Sequence, residues 1–364
     1  MSSSTSESAL LRDGTTIAAE ISELRLVPKT REQYNSSIRN FKIWMKEKHD
    51  AFFEETSQEL ILPLPKEVIL QYMGEISIHK KLKNADGSEK SVSSSLICSF
   101  RSSLVDYYRQ RNLKLDIVVV NSVEDFIGGY KRKIGQLKLS GVMSLVEGKQ
   151  PVTFDGYRFL ALNAVQARKD FSSSIFAHLF LLICWNLMAR SVSVGSIMYA
   201  HMSWAGDALQ ITIPVHKGDQ EGNNSYPRNV YANPLDPTIC PILSLAVYVF
   251  CKSFMRTGAR MTLFNDNENN ENRFSKWLGS TCKDQENNLV SFGIMIMKIG
   301  THSFRKGVAS FLASCPDGPN AISIFLRAGW SLGAVQSRYI FAGQGGKKEL
   351  FFLPTYNKFG EIKI

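Results

Sequence analysis

His302 and Arg305 stand three residues apart in THSFRKGVASF, and Tyr339 follows Trp330 by nine residues in GWSLGAVQSRYIFAG. Residues at i and i+3 of a helix share a face. The spacing therefore predicts a proton carrier and a fixed cation aimed at one spot, with a phenol downstream as a nucleophile. Together these are the parts of a phosphoryl-transfer site that works without a metal. Two residues join them by type and order. Arg190 closes the apolar run that begins IFAHLFLLICWNLMA, and Lys217 lies in HKGDQEGNNS, turn chemistry after an alternating segment. Each has a plainer explanation when taken alone. Arg190 suits the negative end of its own helix, Lys217 is a solvated turn lysine, His302 a surface histidine, and Trp330 and Tyr339 packing residues.

The elements that must position these groups are readable in outline. Residues 1–25 are Ser-rich and read as a disordered leader. Thr30 to Gln33 fits a capping box before Tyr34, Ile38, Phe41 and Met45 at helical spacing. Pro63 and Pro65 introduce a second amphipathic segment with Val68, Ile69, Tyr72 and Met73. KKLKNADGSEK, residues 80–90, reads as a loop, and residues 91–112 as a third helix with Ile97, Phe100 and Leu104 inward. Ser122 caps a fourth helix carrying Lys131, Arg132, Lys133 and Lys138. Those cations are explained equally well by a solvated helix face.

Residues 26–139 thus form an all-helical domain, and 140–151 a Gly- and Pro-punctuated linker. The second domain, 152–345, opens with a helix capped by Thr153 and continues into a buried helix over 171–189. DALQITIPV, residues 207–215, alternates as a half-buried strand, and PRNVYANP is its return strand. A helix follows Pro237, NDNENNENR at 265–273 is an exposed loop, and the chain is helical again from about 290. The class is mostly α with a small antiparallel sheet.

Composition narrows the partners. The net charge is +10, with an excess of +3 in residues 1–150 and +7 in 151–364. The larger excess lies in the half with the suspected site, which favours a polyanionic partner. Six cysteines form no C-x-x-C pair, as expected of a reducing compartment rather than a disulfide or zinc scaffold. The most apolar run, 175–189, is interrupted by His178 and Asn186 and is too short to span a bilayer.

The joint order of Arg190, Lys217, His302, Arg305, Trp330 and Tyr339 resembles the catalytic pattern of the tyrosine recombinases, the phage-integrase-like family. Within it, YKRKIGQLK, HKGDQEG, VYANPLDPTICPILSLAVYV and GWSLGAVQSRYIFAG are most similar to recombinases of eukaryotic Crypton-type mobile elements. The resemblance implies a core-binding domain that clamps double-stranded DNA, with Arg101, Arg109, Lys131, Arg132, Lys133 and Lys138 as contacts, and a catalytic domain over 152–345. It implies attack by Tyr339 to give a 3′-phosphotyrosine, phosphate oxygens held by Arg190 and Arg305, and the leaving 5′-oxygen protonated by Lys217. His302 would help move the tyrosine proton, and Trp330 would pack on the site. No metal or other cofactor is implied. Four protomers would act on two DNA sites, a monomer or dimer would exist without DNA, and the location would be nuclear. Many family members carry an acidic residue three positions after the first arginine; here it is Ser193. The rivals are an element-derived DNA-binding regulator without catalysis, a type IB topoisomerase-like enzyme, and a helical scaffold. The tail 346–364 is apolar enough to pack on a neighbour or on its own chain.

Overall fold

In the computed structural model the described residues are 13–83, 89–145, 148–167, 170–215, 219–223, 225–251, 261–264 and 269–330. The chain divides into two compact units, Met1–Glu147 and Gly148–Ile364. It is mostly helical, with a small antiparallel sheet in the second unit.

The first unit contains α1 (Gly14–Glu23), α2 (Pro28–Lys48), α3 (Lys66–Ile76), a two-stranded ribbon of β1 (Ile78–Lys83) and β2 (Glu89–Ser91), α4 (Ser94–Arg109) and α5 (Ile117–Leu139). Its core follows the apolar periodicity: Phe41 and Met45 of α2, Ile69 and Met73 of α3, and Ile97, Phe100 and Leu104 of α4 are all but sealed from solvent. Phe41, Tyr72 and Phe100 meet with ring centroids 4.8–5.3 Å apart.

Four expectations are corrected here. Part of the expected leader is helical, because α1 lies inside it, and Arg25 pairs with Asp106, a carboxylate that is 4% exposed and needs a partner. Thr30 is no cap: α2 starts at Pro28, whose fixed φ suits the first helical position. The expected loop at 80–90 begins in β1 and ends in β2, so the unit is not all-helical. Helix α5 is capped by Asp116, which accepts from the Val118 N–H at 2.7 Å. Ser122 lies inside that helix and donates to the Val118 carbonyl.

The second unit contains α6 (Phe154–Gln166), α7 (Phe171–Asn186), α8 (Ser191–Gly195), β3 (Met202–Ala205), β4 (Ala208–Thr212), β5 (Pro227–Val230), α9 (Pro241–Cys251), α10 (Asn270–Asp284), α11 (Glu286–Ser291), α12 (Thr301–Ser314) and α13 (Ala321–Ala328). Thr153 caps α6 as expected, accepting from the Gly156 N–H. Helix α7 is apolar on every side and forms the centre of the core. Trp185 stacks on Tyr157 with centroids 4.1 Å apart, and Phe180 stacks on Phe274 of α10 at 4.7 Å. Burying one such ring contributes about 1.5–3 kcal/mol.

The sheet has order β3-β4-β5 and is antiparallel throughout. Leu209 and Ile211 face the core, and Gln210 faces the other way toward Asn229. The expected hairpin is therefore a three-stranded sheet. Helix α10 replaces the second half of the expected exposed loop. Asn269 caps it by accepting from the Asn272 N–H, and Phe274, Leu278 and Cys282, four apart, are buried. The end of the expected linker and the residue after it are docked: the Gln150 and Val152 N–H groups bond to the Lys298 and Ser303 carbonyls. No helix among the described residues is long and apolar enough to cross a membrane.

Candidate active site

Helix α7 delivers Arg190 through its own terminus. The Met188 N–H bonds to the Trp185 carbonyl and the Ala189 N–H to the Cys184 carbonyl. This is a Schellman stop, which places one residue in the left-handed region. That residue is Met188, φ +50°, in a position glycine usually holds. Its side chain is fully buried, which offsets the backbone cost of about 1–2 kcal/mol. The chain then extends, and Arg190, φ −74° and ψ 147°, becomes the residue preceding α8. The expectation that the helix reaches 189 is corrected, since the turn begins after Asn186. Arg190 is half-buried and makes no side-chain ion pair among the described residues. Among the described residues no hydrogen bond joins Ser193 to it; the Ser193 carbonyl accepts from the Ser196 hydroxyl.

Helix α12 carries His302 and Arg305. The Ser303 hydroxyl accepts from the Gly300 N–H at 3.1 Å and closes the first turn. Gly307 lets α12 lie against the incoming segment: a Cβ there would sit 2.2 Å from the Val152 carbonyl oxygen. Arg305 is 5% exposed, whereas His302, one turn earlier, is exposed. The Arg305 guanidinium donates to the Ala328 carbonyl and lies 5.5 Å from the centroid of the Trp330 ring. Trp330 packs edge-on against Phe325 at 5.2 Å. It reaches that place because Gly329 turns the chain at φ +62° after α13.

The structure thus brings Arg190, Arg305 and Trp330 together, with His302 on the rim of the same helix. Burial, with Arg190 and then Arg228 beside it, holds the Arg305 pKa down to about 10. Lys217 and Tyr339 lie outside the described residues.

Two residues were not anticipated. Arg228 of β5 and Arg327 of α13 extend the arginine cluster. Burial lowers both pKa values to about 10, helped at Arg228 by the charge of Arg327. Among the described residues none of these four arginines forms an ion pair with a carboxylate. A group of cations sharing a half-buried site without protein counter-charge is costly until an anion enters it. Guanidinium forks suit the oxygens of a phosphate.

In the first unit, Lys131, Arg132 and Lys133 are exposed on α5, Arg132 opposite the buried Ile127, Tyr130 and Ile134 and the two lysines flanking that face. Arg109 is exposed in the last turn of α4, and Lys138 is half-buried in the last turn of α5. Arg101 pairs with Glu124 at 2.5 Å, so its charge is already locally balanced.

No family model matches the sequence, and no curated protein matches it. Among solved structures the chain is similar to one titled FLP Recombinase-Holliday Junction Complex I, with 13% identity over 69% of this chain and 63% of that one, TM-score 0.38. It is thus matched over less than two thirds of that chain's length. It is also similar to the XerH site-specific recombinase bound to difH substrate in a pre-cleavage complex, with 11% identity over 83% of this chain and 91% of that one, TM-score 0.39. A third likeness is to a lambda integrase dimer bound to a COC′ core site, with 10% identity over 91% of this chain and 86% of that one, TM-score 0.35.

Proposed function

We propose that this chain is a DNA strand-breaking and rejoining enzyme of the tyrosine-recombinase kind, serving a Crypton-like mobile element in the nucleus. The observation that carries the reading is the meeting of Arg190 and Arg305, 115 residues apart in sequence, in one half-buried site against Trp330 and, among the described residues, without a carboxylate paired to either arginine. Such a site is built for an oxyanion whose charge grows in a transition state.

The reading assigns roles in order. The two guanidinium groups hold the non-bridging oxygens of a phosphodiester. The Tyr339 phenol oxygen attacks phosphorus, its proton passing toward His302. The bond to the 5′-oxygen breaks, and Lys217 gives that oxygen a proton. The product is a 3′-phosphotyrosine and a free 5′-hydroxyl. Attack by a second 5′-hydroxyl on the same phosphorus reverses the step and rejoins a strand without ATP. Trp330 caps the Arg305 guanidinium with its ring face. The first unit contributes Lys131, Arg132, Lys133, Arg109 and Lys138 to the DNA backbone, and Arg101 once Glu124 releases it. Recombination proceeds in a tetramer on two DNA sites.

Nicked duplexes that lose a short 5′-hydroxyl strand after cleavage test the reading. The wild-type protein, in EDTA, is expected to accumulate a covalent protein–DNA adduct, and Tyr339→Phe to form none. DNA binding without any adduct would instead favour the regulator, and an adduct that disappears in EDTA would sink the metal-free mechanism.

A further inference from the structure

The end of α7 gives a complete hydrogen-bond account, and the account isolates Arg228. A helix leaves its last carbonyls without partners inside the helix. The Ile183 carbonyl is taken by the Leu187 N–H, that of Cys184 by Ala189, and that of Trp185 by Met188. Asn186 and Leu187 remain. The Asn186 carbonyl accepts two bonds from Arg327, at 3.1 Å from Nε and 2.7 Å from Nη2. Arg327 Nη2 also reaches the Asn229 carbonyl on β5 at 2.8 Å. Arg327 is therefore a structural tie between α7, β5 and α13, and its donors are largely used.

Arg228 is different. It reaches the Leu187 carbonyl only at 3.5 Å, a long contact, and has no other protein partner among the described residues. Yet it is half-buried rather than exposed. In the β4–β5 register Arg228 is opposite Ile211, and Val230 is opposite Leu209. Ile211 and Val230 are at most 1% exposed, so Arg228 shares the core-facing side of the sheet. Asn229, on the other side, bonds to Gln210. A cation on the inner face of a sheet, with most of its five N–H donors unspent, contributes nothing to packing that a leucine would not supply better.

We propose that Arg228 is a third anion-contacting arginine of the site, one that supplies its unspent guanidinium donors to the phosphate held by Arg190 and Arg305. The assignment rests on the anion-binding reading of that site. Arg228 donates from the sheet, Arg190 from the stop of α7 and Arg305 from α12, so three separate elements converge on one group. With no carboxylate at position 193, the negative end of α7 takes over the local charge balance through Arg327 and Arg228.

The test reads stability and affinity separately, using inorganic pyrophosphate as the probe on the full chain in low salt. Removing a repelled, weakly bonded cation is expected to leave the melting temperature of Arg228→Gln unchanged or raised, while pyrophosphate affinity falls about tenfold. Arg228→Lys restores the charge without the planar fork, and is expected to recover only part of the affinity. A purely structural arginine would behave in the opposite way. A lowered melting temperature or failure to fold for Arg228→Gln, or affinity within twofold of wild type, overturns the proposal. Arg305→Gln separates this from the underlying reading. If Arg305→Gln binds pyrophosphate as wild type does, the anion site itself is wrong. If it loses binding while Arg228→Gln keeps it, only the role of Arg228 falls.

Discussion

Arg305 shows how one side chain can be poised by burial. It is nearly sealed from water and, among the described residues, bonded to a single carbonyl and placed beside other cations rather than paired with an acid. Arg305→Lys keeps the charge and loses the fork. Its expected consequence is a loss of about 10²-fold in the rate of adduct formation, the size seen when one oxyanion donor is removed. Single-turnover cleavage would measure it, and a rate within threefold of wild type would show that the fork is idle. His178 supplies a prediction of another kind. Its Nε2 donates to the Thr238 carbonyl at 2.7 Å, and its Nδ1 faces the Ser244 hydroxyl at 2.8 Å. A carbonyl can only accept, so Nε2 carries a proton, and the Ser244 hydroxyl can donate to Nδ1 of a neutral ring. Burial pushes its pKa below the ordinary value of 6.5. The unfolded chain therefore takes up a proton first as pH falls. The stabilisation is fully present above about 6.5 and is lost as pH falls through the folded value, with a slope of at most about 1.4 kcal/mol per pH unit. Denaturant midpoints between pH 7.5 and 5 should show this slope in the wild type and a shallower one in His178→Gln; parallel slopes would contradict it.

At the scale of elements, helix and sheet assignments followed from patterns that tertiary packing respected. Phe41, Ile69, Phe100 and Ile211 are where periodicity puts them. The misreadings have local causes. Thr30 and Ser122 match cap patterns, but Pro28 starts α2 earlier and Asp116 caps α5 first. Helix α10 was hidden because its first turn, NENR, is polar, and only Phe274, Leu278 and Cys282 betray the period. Within the site, Arg190, His302, Arg305 and Trp330 were legible because their spacing carries chemistry. Arg228 and Arg327 were not, because a lone arginine on a strand or in a helix's last turn reads as surface until strand register and the α7 carbonyls are known. The α12 seat can be tested directly. Gly307→Ala is expected to destabilise by about 1–3 kcal/mol, since its Cβ would meet the Val152 carbonyl and the Trp185 ring. Gly279→Ala, in the middle of α10 with nothing within 4 Å, is expected to stabilise by about 0.5–1 kcal/mol. Equal effects of the two changes on the urea midpoint would refute the close approach.

For the whole molecule, the second unit holds four arginines that form no ion pair among the described residues, and the first unit offers exposed cations on α5. A DNA-bound protein of this design should lose affinity steeply as salt rises, because each neutralised phosphate releases counterions. Replacing Lys131, Arg132 or Lys133 by Gln is expected to lower the slope of log affinity against log salt by about 1 per residue. A slope unchanged in the triple variant would remove α5 from the DNA surface. The central claim concerns a bond, and so the most direct measurement is the chemical identity of the attachment. After trapping on nicked DNA, digestion and mass spectrometry should place the DNA on the peptide containing Tyr339, as a phosphotyrosine to a 3′ strand end, with the matching 5′ end left as a hydroxyl. Attachment through any other residue, or to a 5′ end, would contradict the account.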